Sequence, residues 1–220
     1  MTKEVHHKGR WMAALLAAIF AAGLLALAWP TTQRADAAEF KTVTKTFGQP
    51  GVVEIPEDFD VLFGPAEPYP STRFIGAAGF PDGAKVVDVN LNLRDFSHGD
   101  PNDVDMMLVH RTVNRTVFSD AGSFFDVSDL NIVLDDEAQA PPPVGNPLAS
   151  GTYKPVNYEP LNDFFDAPAP TQTTNAQLRG FDGLNPEGQW KLFTFDDDHG
   201  NSGSLGKGWS LTIKARYPTG

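Results

Sequence analysis

Short runs in which apolar and polar residues alternate constrain the fold of this chain more than any other feature. Residues 87–93 read VDVNLNL, residues 130–134 read LNIVL, and residues 209–216 read WSLTIKAR. A period of two places one face of an extended segment against a core and the other in water, as in a half-buried β-strand. Residues 104–109 and 190–195 are more continuously apolar, which fits strands that are covered on both faces.

These strand patterns predict an all-β protein. Turn-forming Gly, Pro, Asn and Asp residues bound the runs, and weaker strand candidates lie at residues 52–55, 72–75, 115–118 and 177–180. No stretch after residue 37 carries a helical stripe, so the sequence leaves no room for the crossover helices that parallel strands need. We expect two packed antiparallel sheets, which form a β-sandwich of jelly-roll type.

The N-terminus has the order of a secretory signal peptide. Three basic residues occur within the first ten, residues 11–29 contain no charge, and Ala35-Asp36-Ala37 places small residues at the two positions that signal peptidase inspects. We expect cleavage after Ala37, which predicts a secreted, extracellular protein with no stable membrane insertion. An uncleaved membrane anchor is the alternative, because the apolar run is nearly long enough to span a bilayer.

Composition limits both the fold and its partners. The chain has no cysteine, so its core must stabilise the fold without disulfides. The formal net charge is −11, and since residues 1–37 hold four of the 17 basic and two of the 28 acidic residues, the remainder carries −13. Such a surface repels phosphate backbones, which argues against nucleic acid as a partner, and it favours solubility and cation binding. We expect a monomer.

We expect a single domain after the signal peptide of residues 1–37. Residues 38–68 are predicted to form an N-terminal lead and a first strand, and residues 69–217 the β-sandwich. Residues 38–50 are polar and are expected to be irregular. Residues 135–174 are rich in proline but contain four aromatic residues. Because a structureless loop of this length is unusual in a compact domain, we expect these aromatic side chains to pack it against the sandwich.

Three segments, in order, resemble one protein family. They are residues 87–108 (VDVNLNLRDFSHGDPNDVDMML), residues 180–192 (GFDGLNPEGQWKL) and residues 196–213 (DDDHGNSGSLGKGWSLTI). Together they look like the P domain, also called Homo B, of proprotein convertases and bacterial subtilisin-like secreted proteases. The resemblance covers residues 69–213 and implies a galactose-binding-domain-like β-sandwich. The residues that match the family motifs are His98, Asp105, Phe181, Gly183, Gly188, Trp190, Leu192, Gly203, Leu205, Trp209 and Leu211.

The chain departs from the family pattern at two places. The family has a Pro-x-Gly turn after the strand that contains Asp105, where this chain has residues 110–114 (HRTVN). After Trp190, Thr194 interrupts the alternating apolar series, while Phe193 and Phe195 fall on the other face of the predicted strand. The second departure leaves open which face of that strand meets the core.

The resemblance implies a module that has no catalytic site of its own. P domains flank a subtilisin-like serine protease domain and stabilise or regulate it, so the implied role is an accessory or interaction module associated with proteolysis. Its partner would be a protease or a cell-surface protein. After residue 37 the chain has only His98, His110 and His199 as histidines, and neither a G-x-S-x-G nor an H-E-x-x-H motif occurs.

Two other functions stay open. A carbohydrate- or cell-surface-binding module would use exposed aromatic rings, for which Phe124-Phe125 and Phe164-Phe165 are the candidates. A hydrolase would use a pair of carboxylates, and no pair stands out among the many acidic residues.

Two turns that are rich in oxygen ligands indicate a calcium site. Calcium prefers carboxylate, amide and carbonyl oxygens, and the family resemblance also implies this ion, because many bacterial P domains bind it. Asp and Asn residues also stabilise turns through local hydrogen bonds, and this structural role is the alternative. The predicted calcium ligands of the first turn are Asp100, Asp103 and Asp105. Those of the second turn are Asp196, Asp198 and Asn201.

Overall fold

A computed structural model describes residues 39–49, 51–55, 63–160 and 163–219, which belong to the compact unit Ala38–Gly220. The predicted signal peptide lies outside the described residues. The regular secondary structure of the described residues is almost entirely β-strand. The strands are β1 (Phe40–Gln49), β2 (Val53–Ile55), β3 (Gly64–Pro65), β4 (Ser71–Ile75), β5 (Lys85–His98), β6 (Val104–His110), β7 (Val113–Phe118), β8 (Val127–Leu134), β9 (Gly151–Tyr153), β10 (Gly188–Asp196), β11 (Gly203–Leu205) and β12 (Trp209–Pro218).

The strands form two sheets. The first has the order β1-β12-β5-β11-β2, and β8 and then β9 extend it from β5. The second has the order β3-β10-β6-β7, with β4 also paired to β10. All ladders are antiparallel except the short one between β8 and β9. The 3₁₀ helices among the described residues are Ala77–Gly79, Pro101–Asp103 and Leu178–Phe181.

One shared core lies between the two sheets. The indole N–H of Trp209, on β12 of the first sheet, donates to Ser71 Oγ on β4 of the second sheet at 2.8 Å. The rings of Phe96 and Phe118, again one from each sheet, meet edge to face at 6.0 Å between centroids. Because apolar side chains of both sheets join a single buried cluster, the predicted all-β sandwich is confirmed.

A β-bulge changes the pattern at the start of β5. The alternation predicted that Val87 would be buried together with Val89. Instead, Lys214 pairs with Asp88 while Ala215 pairs with Val86, so the register shifts by one residue between these pairs. Val86 is therefore buried, and Val87 is 38% exposed. An extra residue in one strand reverses the facing of every residue before it.

The N-terminal part of the sandwich begins earlier than the sequence suggested. Residues 38–50 were expected to be irregular, but Phe40–Gln49 forms the ten-residue strand β1 on β12. Its Thr, Val and Phe residues favour a half-exposed pleated edge, and Val43 and Phe47 pack against the core. At the weak strand candidate 177–180 the chain instead begins a 3₁₀ helix, Leu178–Phe181.

The proline-rich region packs against the sandwich, as its aromatic residues predicted. Tyr153 and Tyr158 contact the main core. Phe165 and Ala169 cover a second cluster, formed by Met107, Val109 and Phe193. We call residues 163–172 the covering segment. It lies on the outer face of the second sheet, which is the face directed away from the sandwich core.

Gly203 is required by a close backbone approach and not by its own conformation. A Cβ atom at this position would lie 2.1 Å from the carbonyl oxygen of Ser97 on the neighbouring strand. Gly183, Gly188 and Gly208 differ in this respect, because each has a positive φ angle, which favours glycine.

We expect Gly203→Ala to lower the free energy of unfolding by about 1–3 kcal/mol, because backbone must move to admit the methyl group. Gly48→Ala is the matched control, since a Cβ there meets Ser210 Cβ at an ordinary 4.0 Å. Urea unfolding of both variants measures the difference. Equal stabilities would contradict the strand packing described here.

Candidate metal centre

Both faces of β6 and of residues 192–196 on β10 are buried, and this burial encloses acidic side chains. Every residue of β6 is buried. Val104 and Met106 face the main core, whereas Met107 belongs to the cluster beneath the covering segment. Alternation therefore directs Asp105 to the outer face. On β10, Leu192 faces the main core and Phe193 faces the outer side. The face that carries Trp190 and Leu192 is therefore the one that meets the core, which the sequence alone did not decide.

The two oxygen-rich turns predicted from sequence meet at one end of the sandwich. Asp196 pairs with Val104 in the β10–β6 ladder, and the N–H of Asp197 donates to the carbonyl oxygen of Asp103 at 3.0 Å. His98 links the turns: its Nε2 lies 3.3 Å from Asp196 Oδ2, and its Nδ1 lies 2.6 Å from the carbonyl oxygen of Asp100. We call Asp100, Asp103, Asp196 and Asp198 the turn cluster.

Carboxylates of the turn cluster are largely engaged in local turn hydrogen bonds. Asp100 Oδ1 accepts from the N–H of Asn102 at 3.1 Å, and Asp196 Oδ1 accepts from the N–H of Asp198 at 3.3 Å. Asp198 Oδ1 in turn accepts from the N–H of His199 at 2.7 Å. Such local hydrogen bonds stabilise turns without a metal ion, which is the alternative to a calcium site.

Asn201, the sixth predicted ligand, packs tightly against Gly99. A Cβ at residue 99 would lie 2.6 Å from Asn201 Oδ1, so only glycine admits this contact. The N–H of Gly99 also donates to the carbonyl oxygen of Ser202 at 3.2 Å. The second turn is thus fastened to the end of β5.

A different group of carboxylates converges on the outer face. Asp105, Asp120 and Asp163 each present an oxygen within 4.8 Å of the other two. Among the described residues they are the one such group of three or more potential metal ligands. Asp105 lies on β6, Asp120 follows β7, and Asp163 opens the covering segment. We call these three residues the outer-face cluster.

Uncharged side chains donate hydrogen bonds to two of the three carboxylates of the outer-face cluster. The Ser119 hydroxyl lies 2.7 Å from Asp120 Oδ2 and 2.9 Å from Asp163 Oδ1, although its single proton can be donated to only one of them at a time. Asn157 Nδ2 donates to Asp163 Oδ2 at 2.8 Å. Asp105 is 2% exposed, and its Oδ2 is buried without any hydrogen-bond partner.

Burial and mutual repulsion raise the pKa values of the acids at this end of the sandwich. Burial, followed by the charges of Asp163 and Asp197, raises the pKa of Asp105 to about 9. Burial and the charge of Asp100 raise the pKa of Asp103 to about 7. Burial raises the pKa of Asp163 as well, although the hydrogen bonds from Ser119 and Asn157 oppose the increase.

The structure thus divides the predicted ligands between two places. Asp100, Asp103, Asp196 and Asp198 meet at the joined turns, with Asn201 beside them, while Asp105 faces the outer-face cluster. Asp120 and Asp163 were not predicted as ligands. They lie in two other segments of the chain, so no spacing in the sequence connects them to Asp105.

His110 has a structural role. It lies where this chain departs from the Pro-x-Gly turn of the P domain family. Its ring stacks on Trp190, with centroids 4.0 Å apart and an angle of 3° between the planes. Nδ1 lies 2.9 Å from the carbonyl oxygen of Gln189, and Nε2 lies 2.8 Å from that of Asn185. Burial lowers its pKa, although both carbonyl contacts oppose this. The ring therefore covers the buried tryptophan and joins the end of β6 to the chain at the start of β10.

Comparison with known proteins leaves the family undetermined. No protein-family model, no curated protein and no solved structure matches this chain. The described residues contain no helix that is long and apolar enough to cross a lipid bilayer.

We expect the metal-free protein to lose stability as the pH rises from about 4 towards about 9. The pKa of Asp105 increases from 3.8 to about 9 on folding. Its proton therefore favours the folded state fully below pH 4, and this contribution is lost as the pH rises to the folded value. In EDTA at pH 8.5, Asp105→Asn should raise Tm by about 2–4 °C, which corresponds to about 1 kcal/mol.

Thermal unfolding followed by circular dichroism at pH 5 and pH 8.5 measures this effect. Asp166→Asn is the control, because it removes an exposed carboxylate from the covering segment and should preserve the pH dependence. A decline that is equally steep in Asp105→Asn would show that the buried carboxyl group of Asp105 does not cause it.

Proposed function

We propose that this protein is a secreted, calcium-stabilised P-domain-like β-sandwich of jelly-roll type, and that it acts as an accessory or interaction module in subtilisin-like proteolysis. Residues 1–37 serve as its cleaved signal peptide. Its partner is a protease or a cell-surface protein, which it binds in trans as a monomer.

The arrangement of the three segments that carry the family resemblance is the main support for this proposal. Residues 87–108 supply most of β5 together with β6, residues 180–192 lead into β10, and residues 196–213 contain β11. In the first sheet, β5 pairs with both β12 and β11 along one edge, and in the second sheet β10 pairs with β6. Segments that are distant in sequence are thus neighbours at the centre of both sheets.

The motif residues also have the roles that a shared architecture requires. Trp190 and Trp209 are fully buried, and each indole N–H has an acceptor, at 2.9 Å on Pro186 and at 2.8 Å on Ser71. A buried tryptophan needs such an acceptor. The motif histidine, His98, is buried against Asp196. The motif residues therefore support a common fold, and the link to proteolysis rests on analogy of fold.

Capture of a serine protease tests the proposed role. The purified protein is immobilised and exposed to the culture medium of the cell that produces it, after the medium has been treated with a fluorophosphonate that tags active serine hydrolases. We expect a tagged subtilisin-like protease to be retained and to be released by excess soluble protein. The soluble competitor is the control for adsorption to the matrix.

Absence of a tagged protease, together with retention of purified cell-wall polysaccharide, would contradict the proteolytic role. Turnover of casein by the purified protein alone would also contradict an accessory role, because the protein would then have proteolytic activity of its own. Loss of that turnover in a single Asp→Asn variant would then identify a hydrolase that uses carboxylates.

A carbohydrate- or surface-binding module is the second candidate, and exposed aromatic rings favour it. Phe124 and Phe125 are 71% and 48% exposed, and their ring centroids lie 4.6 Å apart. Phe164 is 68% exposed, whereas its neighbour Phe165 packs on the second cluster. Retention of polysaccharide that is abolished by Phe124→Ser would support this candidate.

A further inference from the structure

The outer-face cluster brings carboxylates together at a place where no basic side chain of the described residues forms an ion pair with them. Asp105 and Asp163 are 2% and 7% exposed. The ion pairs of His98 with Asp196 and of Lys207 with Asp95 do not involve the cluster. The charge of Asp197 adds to the repulsion. A buried carboxylate without a counter-charge is costly unless it is paired or coordinates a metal.

One oxygen of Asp105 indicates a missing ligand independently of the clustering of the three carboxylates. Its Oδ2 is completely buried and accepts no hydrogen bond. Buried polar oxygens almost always have a partner, so an orphaned one indicates a group that the protein itself does not provide. The Ser119 hydroxyl is also close enough to Asp105 to oppose the rise in its pKa, but it has only one proton for the three carboxylates of the cluster.

We propose that Asp105, Asp120 and Asp163 bind one calcium ion, which fastens the covering segment to the second sheet. This inference deepens the calcium part of the proposed function by naming the ligands. Two oxygens on opposite sides of a calcium ion lie about 4.8 Å apart at most, at about 2.4 Å per bond. The cluster meets that limit. Its three ligands are all carboxylates, without the His or Cys that zinc favours.

The ion would join three separate parts of the chain. Asp105 lies within the β6 ladder and Asp120 lies two residues after the end of β7, so the second sheet positions both of them. Asp163 belongs to the covering segment, whose other attachments include the hydrogen bond from Asn114 Nδ2 to the carbonyl oxygen of Thr171 at 3.2 Å. Calcium would therefore hold the start of this segment, next to the exposed Phe164.

Calorimetric titration of the EDTA-stripped protein with CaCl₂ tests the site. We expect binding in the range of about 10⁻⁴ to 10⁻³ M or tighter, as in extracellular modules. Asp163→Asn should weaken it by at least about tenfold, because one of the three charged ligands is lost. Asp166→Asn, which removes an exposed carboxylate of the same segment, should leave it unchanged.

Chymotrypsin provides a second readout, because Phe164 is exposed and lies beside Asp163. We expect calcium to slow cleavage after Phe164 in the wild-type protein and in Asp166→Asn, but not in Asp163→Asn. Thermal unfolding in EDTA shows that each variant is folded before it is compared.

The absence of calcium binding up to about 10 mM, well above the range of extracellular modules, would overturn the site. Binding that is unaffected by Asp163→Asn would also overturn it, although the protein would still be stabilised by calcium elsewhere. Neither result bears on protease capture, so failure of the site and failure of the accessory role can be distinguished.

Discussion

The central strand pair of the second sheet, formed by β6 and residues 192–196 of β10, has no face left for water, and the rest of the structure depends on this constraint. The inner faces of β6 and β10 meet the sandwich core, and their outer faces lie beneath the covering segment. An alternating strand normally has one wet face for its polar residues. Here Asp105 is enclosed instead, and its charge can be accommodated only by a proton or by a cation. The covering segment also brings Asp163 to the site. The burial of the outer face and the convergence of the three carboxylates therefore have the same structural cause.

Much of the fold could be predicted from the sequence because alternation acts locally. The runs that contain Val89, Leu91 and Leu93 formed strands with the expected face buried, and the continuous run in β6 was covered on both sides as predicted. The facing of Val87 could not be predicted, because the bulge opposite Lys214 depends on the partner strand. The strand β1 was missed because its face is only partly buried, so few apolar residues mark it.

The candidate site was less predictable because its residues are joined only by tertiary structure. The two turns that contain Asp100 and Asp196 were identified, and the ladder between β6 and β10 brings them together. Asp120 and Asp163 had no distinguishing pattern, since their positions depend on how a proline-rich segment lies on a sheet. Asp105 was assigned to the first turn by its nearness in sequence, but strand alternation directs its side chain away from that turn. Register and loop placement, not residue type, therefore determine which acids converge.

Thiol labelling tests the covered outer face most directly, because the chain contains no cysteine and a single introduced thiol gives an unambiguous signal. Met107 is fully buried on that face, whereas Phe74 on β4 is 63% exposed. We predict that Met107→Cys reacts with a maleimide at least about a hundredfold more slowly than Phe74→Cys in the native protein, because labelling requires local opening. Equal labelling rates in the two folded variants would contradict the account, because the outer face would then be open to water.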